Sequence, residues 1–253
     1  MKTLLVTNIK GGVAKSSTAV AIATGLKLLK PDSKVLLIDG LYSMQGNIPD
    51  IVAIQKLCDE MKTILYIDDA HGLGIYGENG GGVAELLNLK FDNMILVGSL
   101  QKGLGAFGAF IAGNETLIDL LRVNSKSYIF SGPLQPQAVE GALCAIELSR
   151  SEVGKKLRSD LYFKSQFIRK ELSALKFKVF DKDGNSPIIS VEMGSDLRTL
   201  MAGKTIYDNS IYLNSVVYPA VPKNSGILRI SLNAIHSEED IKALLDAFKF
   251  LRA

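Results

Sequence analysis

Apolar runs alternate with amphipathic segments along the first 150 residues. Continuous apolar runs bounded by turn residues predict strands buried on both faces, over 3–7, 34–39, 63–68 and 93–98, with a short strand over 109–112. Apolar residues at helical spacing predict helices over 16–29, 51–61, 115–123 and 136–150. Because the connections are short, the alternation indicates parallel strands. We therefore expect an α/β domain with a three-layer, mostly parallel sheet.

The pattern changes after Arg150. A long charged amphipathic helix is predicted over Glu152–Leu175, and a closing helix begins at Ser237 with acidic residues in its first turn. Between them the pattern predicts strands over 178–180, 187–192, 211–218 and 227–233. This mixture indicates a smaller α+β domain. The predicted division is residues 1–150 and 151–253, with a βαβ start over residues 1–39.

Composition excludes several classes of function. Of 253 residues, 47% are hydrophobic and 22% are charged, which is ordinary for a globular protein. A formal net charge of +3, from scattered lysines and arginines, gives no support for a nucleic-acid partner. The apolar run in the opening MKTLLVTNIKGG is too short for a signal peptide or a membrane span before Lys10 interrupts it, and Cys58 and Cys144 give no disulfide framework. We expect a cytoplasmic protein.

A phosphate-loop pattern follows the first predicted strand. KGGVAKSS opens the first predicted helix, where glycine N–H groups can close on phosphate oxygens and a lysine adds positive charge. The pattern resembles the deviant Walker A segment of the ParA/MinD partition ATPases. That resemblance implies ATP with Mg²⁺, and Ser16 as the magnesium ligand. The alternative to a phosphate-binding loop is an ordinary glycine turn between the strand and the helix. The residues concerned are Lys10, Gly11, Gly12, Lys15, Ser16 and Ser17.

A second set of motifs spans the chain from Asp39 onward. The stretches are DGLYSMQGNIPDI, YIDDAHGLGIYGENGGG, GSLQKGLGAFGAFIAG, SYIFSGPLQP and VVYPAVPKNSGILRISLNAIHSEEDI. Together they resemble the α-oxoamine synthases, which include 8-amino-7-oxononanoate synthase and serine palmitoyltransferase. The resemblance implies a large domain of PLP fold type I, pyridoxal 5'-phosphate (PLP) as cofactor, and decarboxylative condensation of an amino acid with an acyl-CoA. Biotin biosynthesis is the nominal pathway, because that synthase is abundant in the family.

Three residues match the catalytic positions of that family. Asp68 ends a predicted buried strand and matches the carboxylate that keeps the pyridine nitrogen of PLP protonated. His71 matches the residue that contacts the phenolic oxygen of the cofactor. Lys102, in a glycine-rich turn, matches the cofactor-binding lysine, and we expect a partly buried site that lowers its pKa. The first two residues have alternatives without a catalytic role. Asp68 is alternatively a strand-end aspartate that caps a turn, and His71 is alternatively a solvent-facing histidine.

The remaining matched positions surround the cofactor or the substrate. Ser43 matches a serine close to the phenolic oxygen, and Ser99 a hydroxyl near the cofactor phosphate; either is alternatively a turn serine. Arg229 matches the arginine that binds the substrate carboxylate, a role that a guanidinium fork suits; its alternative is an exposed strand arginine. Ser131 and Gly132 match a segment that reaches the neighbouring subunit's cofactor, so the resemblance implies a homodimer.

Three functional hypotheses remain open at this point. The first is the PLP enzyme, impaired if the N-terminal part of its cofactor site is absent. The second is a nucleotide-binding protein of the partition-ATPase type. The third is an inactive α/β scaffold. The two resemblances meet near Asp39, which suggests a chimeric or truncated chain. The glycine turn at 10–17 is also a possible replacement cradle for the phosphate of PLP.

Overall fold

The structure, a computed structural model, describes residues 5–6 and 34–251 of the chain. These residues form two compact units. One unit contains the described residues up to Leu41 together with Ile48–Lys155, and the other contains Tyr42–Asn47 and the chain from Lys156 onward. The segment Tyr42–Asn47 thus belongs with the C-terminal residues. A division into two continuous ranges does not include this feature.

A five-stranded sheet forms the centre of the first unit. Its strands are β1 (Leu5–Val6), β2 (Lys34–Asp39), β3 (Thr63–Asp68), β4 (Met94–Ser99) and β5 (Ala109–Ala112), in that spatial order. The first four are parallel, and β5 is antiparallel to β4. The mostly parallel α/β sheet predicted from the sequence is therefore present. Parallel pairing brings the carboxyl ends of β2, β3 and β4 to one edge.

Helices connect and follow the strands of this unit. They are α1 (Ile51–Glu60), α2 (Val83–Leu86), α3 (Glu115–Asn124), α4 (Lys126–Ile129) and α5 (Pro136–Arg150), and α6 (Glu152–Ala174) begins in this unit. Leu117, Leu120 and Leu121 of α3 pack on a cluster of buried side chains from the strands: Val35, Leu37, Tyr66 and Ile95. The spacing of three and four residues places these leucines on one face of the helix, as amphipathic packing requires.

The second unit has a smaller antiparallel sheet. Its strands are β6 (Ile188–Gly194), β7 (Asn214–Val216) and β8 (Gly226–Ser231), with β8 in the middle. Helices α7 (Asp196–Asp208) and α8 (Glu238–Phe250) accompany it, together with α6 from Lys156 onward. Ser237 is the N-cap residue of α8 and forms a capping box. Its hydroxyl accepts from the Asp240 N–H at 3.1 Å, and its own N–H donates to the Asp240 carboxylate at 2.8 Å.

Some predicted elements differ from the structure. The strand predicted over 178–180 is wrong, because only Val179 forms an isolated bridge, to Val191. The strand predicted over 211–218 is limited to β7, which lies at an edge of the sheet and pairs only with β8. The strand predicted over 3–7 is described only at β1, and the helix predicted over 16–29 lies outside the described residues. The helices α2, α4 and α7 were not predicted.

Candidate functional site

Acidic residues end two neighbouring strands of the parallel sheet. Asp39 ends β2 and pairs in register with Asp68, the last residue of β3, and Asp68 in turn pairs with Val97 of β4. The Asp68 carboxylate is buried and accepts a hydrogen bond from the Ala70 N–H at 3.1 Å. A carboxylate at this edge is in the place where open α/β sheets bind ligands.

His71 and Lys102 meet beside this strand end. The Nζ atom of Lys102 lies 2.8 Å from Nε2 of His71, a hydrogen bond in which the tautomer of the imidazole decides which group donates. Lys102 is exposed and His71 is half-buried. The partly buried environment expected for Lys102 is therefore not observed, because its turn follows β4 at the surface of the unit. An amine and an imidazole at this distance can exchange a proton.

Two glycines allow the loops that carry these residues to touch. Gly74 has a φ of +79°, and a Cβ atom there would lie 2.8 Å from the backbone carbon of Gly103. A Cβ atom at Gly103 would in turn overlap the Leu73 carbonyl oxygen. Side chains at either position would push the loops apart. This close approach of two backbones is what brings His71 within reach of Lys102.

Apolar packing fixes the same two loops to a helix. Leu73, two residues after His71, and Leu100, two residues before Lys102, pack together against Ala142 of α5. Leu104 and Ala106 complete the cluster. Because the leucines lie on either side of the polar pair, burying them orients both loops at once.

A glycine-rich segment, residues 72–82, closes over the end of β3. Glu85 of α2 accepts hydrogen bonds from the Asn79 N–H at 3.1 Å and the Gly81 N–H at 2.7 Å. The Ser149 hydroxyl donates to the Asn79 carbonyl at 3.0 Å. The segment is therefore an ordered loop whose backbone groups have partners, as an irregular segment near a site requires.

Asp69 is a buried carboxyl group that the sequence analysis did not assign to the site. Its Oδ2 atom accepts a hydrogen bond from the Val83 N–H at 2.7 Å. Burial, together with the neighbouring charge of Asp68, raises the pKa of Asp69 to about 7, although the backbone N–H groups of Val83 and Gly72 oppose this shift. The available sequence signal was the density of glycines around DDAHG, since small residues allow a backbone to close on a carboxylate.

Two of the predicted site residues, Ser43 and Arg229, contact each other in the second unit. The Arg229 guanidinium donates from Nε to the Ser43 carbonyl at 2.6 Å and from Nη1 to the Ser231 hydroxyl at 2.7 Å. Burial lowers the pKa of Arg229. The side chain is half-buried, so the alternative of an exposed strand arginine is excluded. The Ser43 contact involves its backbone rather than its hydroxyl.

The other predicted positions are less involved in this geometry. Ser99 is the last residue of β4, and its hydroxyl accepts a hydrogen bond from the Gln101 N–H at 3.3 Å, as a turn serine does. Ser131 and Gly132 are exposed in the connection between α4 and α5. The phosphate-loop residues 10–17 lie outside the described residues. In the described part of the chain, no helix is long and apolar enough to cross a membrane, and no cluster of three metal-binding side chains occurs.

Residues 15–248 match the family profile of aminotransferase class I and II. The chain belongs to this family. The match begins at residue 15, well before Asp39, and so includes Lys15, Ser16 and Ser17 of the phosphate-loop pattern. Nothing in the comparisons supports a separate ParA/MinD-like segment.

Two named relatives illustrate the sequence similarity. An 8-amino-7-oxononanoate synthase of Thermoanaerobacter pseudethanolicus is 33% identical over 217 residues, which is 85% of this chain and 54% of that protein. A serine palmitoyltransferase of Sphingobacterium spiritivorum is 30% identical over 227 residues, 88% of this chain and 56% of that protein. The chain therefore spans about half the length of the curated relatives it matches.

Solved structures share the fold. A structure of SPT with the PLP internal aldimine is 26% identical, with a TM-score of 0.81 over 91% of this chain and 57% of that chain. The predicted α/β fold of PLP fold type I is confirmed by this likeness.

Proposed function

We propose that this chain carries the lysine-bearing half of a PLP-dependent α-oxoamine synthase, which joins the α-carbon of an amino acid to the acyl group of an acyl-CoA and releases carbon dioxide and free coenzyme A. The observation that carries the proposal is the pairing of Lys102 with His71 at 2.8 Å, beside the buried Asp68. The names of the relatives and their shared fold support the same chemistry.

The residues at this edge of the sheet suit PLP. The Asp68 carboxylate is buried at the strand end and accepts from the Ala70 N–H at 3.1 Å. A buried carboxylate in this place suits a protonated pyridine nitrogen. Lys102 is accessible, which a covalently bound aldehyde cofactor requires. When bound, PLP supplies an electron sink for a carbanion at the amino acid's α-carbon.

The polar pair has a defined part in this proposal. Lys102 needs a neutral amine to react, and His71 can hold the proton that Nζ gives up, because Nε2 lies 2.8 Å away. The same contact later allows Lys102 to move a proton to or from the substrate. His71 also remains in place to orient the cofactor ring, since its loop is fixed by Leu73.

The substrate roles are proposed for the second unit. Arg229 keeps Nη2 without a protein partner among the described residues, while Nε and Nη1 are held by Ser43 and Ser231. A guanidinium fixed in this way can bind the carboxylate of an amino acid without losing much side-chain freedom. The acyl-CoA, the roles of Ser43 and Ser99 near the cofactor, and a homodimer that uses Ser131 and Gly132 belong to the same proposal.

The nucleotide-binding alternative has less support. It rests on residues 10–17 alone, and the aminotransferase match includes the last three residues of that pattern. A test of ATP binding in the presence of Mg²⁺ distinguishes it from the PLP proposal. Loss of ATP binding in Lys15→Ala, with no PLP binding in the parent, would favour it.

The first experiment is the visible absorption spectrum after PLP is added to the parent, to Lys102→Ala and to Lys126→Ala. Lys126 is an exposed lysine of α4 and serves as the control. We expect a visible band of lysine-bound PLP in the parent and the control, and its loss in Lys102→Ala. A band that survives in Lys102→Ala would contradict the assignment of the lysine, and no band in the parent would contradict the function.

A further inference from the structure

The carboxyl group of Asp69 occupies a cage of glycines. A Cβ atom at Gly40, Gly72 or Gly82 would overlap one of its two oxygens. These glycines come from three different places: the end of β2, the turn after His71, and the start of α2. The side chain is 1% exposed. Three separate backbone segments therefore pack directly on one carboxyl group, an arrangement that no larger residue at those positions permits.

The backbone of Asp69 adds contacts to the same region. Its N–H donates to the Val97 carbonyl of β4 at 2.8 Å, and its carbonyl accepts from the Leu73 N–H at 3.1 Å. Successive strand residues point to opposite faces, so Asp68 and Asp69 project in different directions from one strand end. Asp69 thus joins β4, the turn that carries His71, and the N-terminus of α2.

We propose that Asp69 is a positioning residue, whose carboxyl group fixes the turn that presents His71 to Lys102 and supplies negative charge behind it. The assignment to the PLP site rests on the function proposed above. Asp69 itself does not contact Lys102. Its effect is transmitted through Gly72, which lies against Oδ1 and directly follows His71 in the chain.

Several titratable groups lie around Asp69 and respond to its charge. Asp68 is adjacent on β3, Asp39 ends β2 next to Gly40, His71 lies on the turn, and Glu85 of α2 is bonded to Asn79 and Gly81. Oδ1 makes no hydrogen bond of good geometry, so the Gly72 N–H stabilises the ionised form only at a distance. A pKa near 7 for Asp69 means that its charge, and thus the potential at His71, changes around neutral pH.

The sign of the effect on stability follows from the direction of this shift. The folded-state pKa of Asp69 lies above the ordinary value of 3.8, so the folded state binds the proton more tightly than the unfolded chain does. The stabilisation that this proton supplies is present at low pH and is lost as the pH rises through about 7. Asp69→Asn keeps an acceptor for the Val83 N–H and removes the titration.

The experiment uses the protein without cofactor and needs no activity. The chain contains two histidines, His71 and His236, so proton NMR resolves their imidazole titrations and a His236→Gln variant assigns them. We expect Asp69→Asn to lower the titration midpoint of His71 by about 0.3 pH unit or more, because a neighbouring negative charge is lost. The His236 midpoint stays unchanged. Asp119→Asn, which removes an exposed carboxylate paired with Arg122, is the matched control and changes neither midpoint.

Thermal unfolding from pH 5 to 8.5 is the second measurement. Relative to the parent, Asp69→Asn becomes progressively more stable as the pH rises from 5 to about 7, and the difference levels off at higher pH, while the curve of Asp119→Asn runs parallel to that of the parent. An unshifted His71 midpoint in Asp69→Asn, or an unfolding curve parallel to the parent's, overturns the proposal. A parent that titrates as expected and yet shows no visible band with PLP contradicts the proposed function and leaves the positioning role standing.

Discussion

At the scale of single residues, Arg169 is the most deeply buried charge of the second unit. It is 0% exposed and donates to the carbonyls of Asp181 at 3.0 Å, Ser186 at 2.8 Å and Ile188 at 2.8 Å. Replacing it by methionine removes the guanidinium donor from all three carbonyls, although the Asp181 carbonyl keeps the Gly184 N–H and the Ser186 carbonyl keeps the Ser165 hydroxyl. We expect a loss of about 3 kcal/mol in the free energy of unfolding. Denaturant unfolding measures the change. Arg122→Met, at an exposed ion pair, is the control and should cost less than about 1 kcal/mol.

The sequence predicted which residues belong to the candidate site better than it predicted their exposure and packing. Lys102 and His71 were assigned to one site by resemblance, and the structure brings them into contact. The exposure of Lys102 and the cage around Asp69 were not predicted, because both depend on loops from different strands that pack together. Arg169 was missed for a similar reason: an arginine on a charged amphipathic helix carries no signal that its partners are carbonyls of a later loop.

At the scale of elements, the contact between the His71 loop and the Lys102 loop depends on Gly74. Gly74→Ala adds a Cβ atom 2.8 Å from the Gly103 backbone at a φ of +79°, so we expect the two loops to separate. Gly105→Ala is the matched control, since its φ is +61° and a Cβ atom there meets nothing within 4 Å. Reaction of Lys102 with PLP, followed by the visible band, should fall at least tenfold in Gly74→Ala and less than threefold in Gly105→Ala. Equal effects would show that only backbone strain matters.

The bounds of helices and strands were predicted most accurately where the local hydrophobic pattern is strong. The strands β2 and β3 are buried and apolar, and both were predicted with the observed bounds. The strand predicted over 178–180 failed because three residues of suitable pattern gained only one bridge, to Val191. Helix α7 was overlooked although Ser195 begins it, its hydroxyl accepting from the Arg198 N–H at 3.3 Å. A serine followed by an aspartate was a capping signal that strand patterns on either side obscured.

At the scale of the whole molecule, the chain enters the second unit early, at Tyr42–Asn47, and returns to it only at Lys156. This early segment contacts the small sheet. Arg229 of β8 donates to the Ser43 carbonyl at 2.6 Å, the Ser190 hydroxyl of β6 donates to the Met44 carbonyl, and Met44 packs with Val216 and Ile227. The C-terminal residues alone therefore lack part of their own hydrogen bonding. Periodicity cannot predict such a contact, because it links residues more than 140 positions apart in the chain.

Gly46 tests whether this early segment stabilises the second unit. It has a φ of +77°, and a Cβ atom there would overlap the Ile188 carbonyl oxygen of β6. Gly46→Ala should therefore lift the segment and cost about 2–3 kcal/mol. Gly194→Ala shares a positive φ of +92° but meets nothing within 4 Å, so it should cost only about 1 kcal/mol. Hydrogen exchange locates the effect: amides of β6 and β8 should lose protection in Gly46→Ala, while those of β3 and β4 keep theirs. Equal exchange in the two variants would mean that the segment merely lies on the sheet, and the second unit would then owe its stability to the C-terminal residues alone.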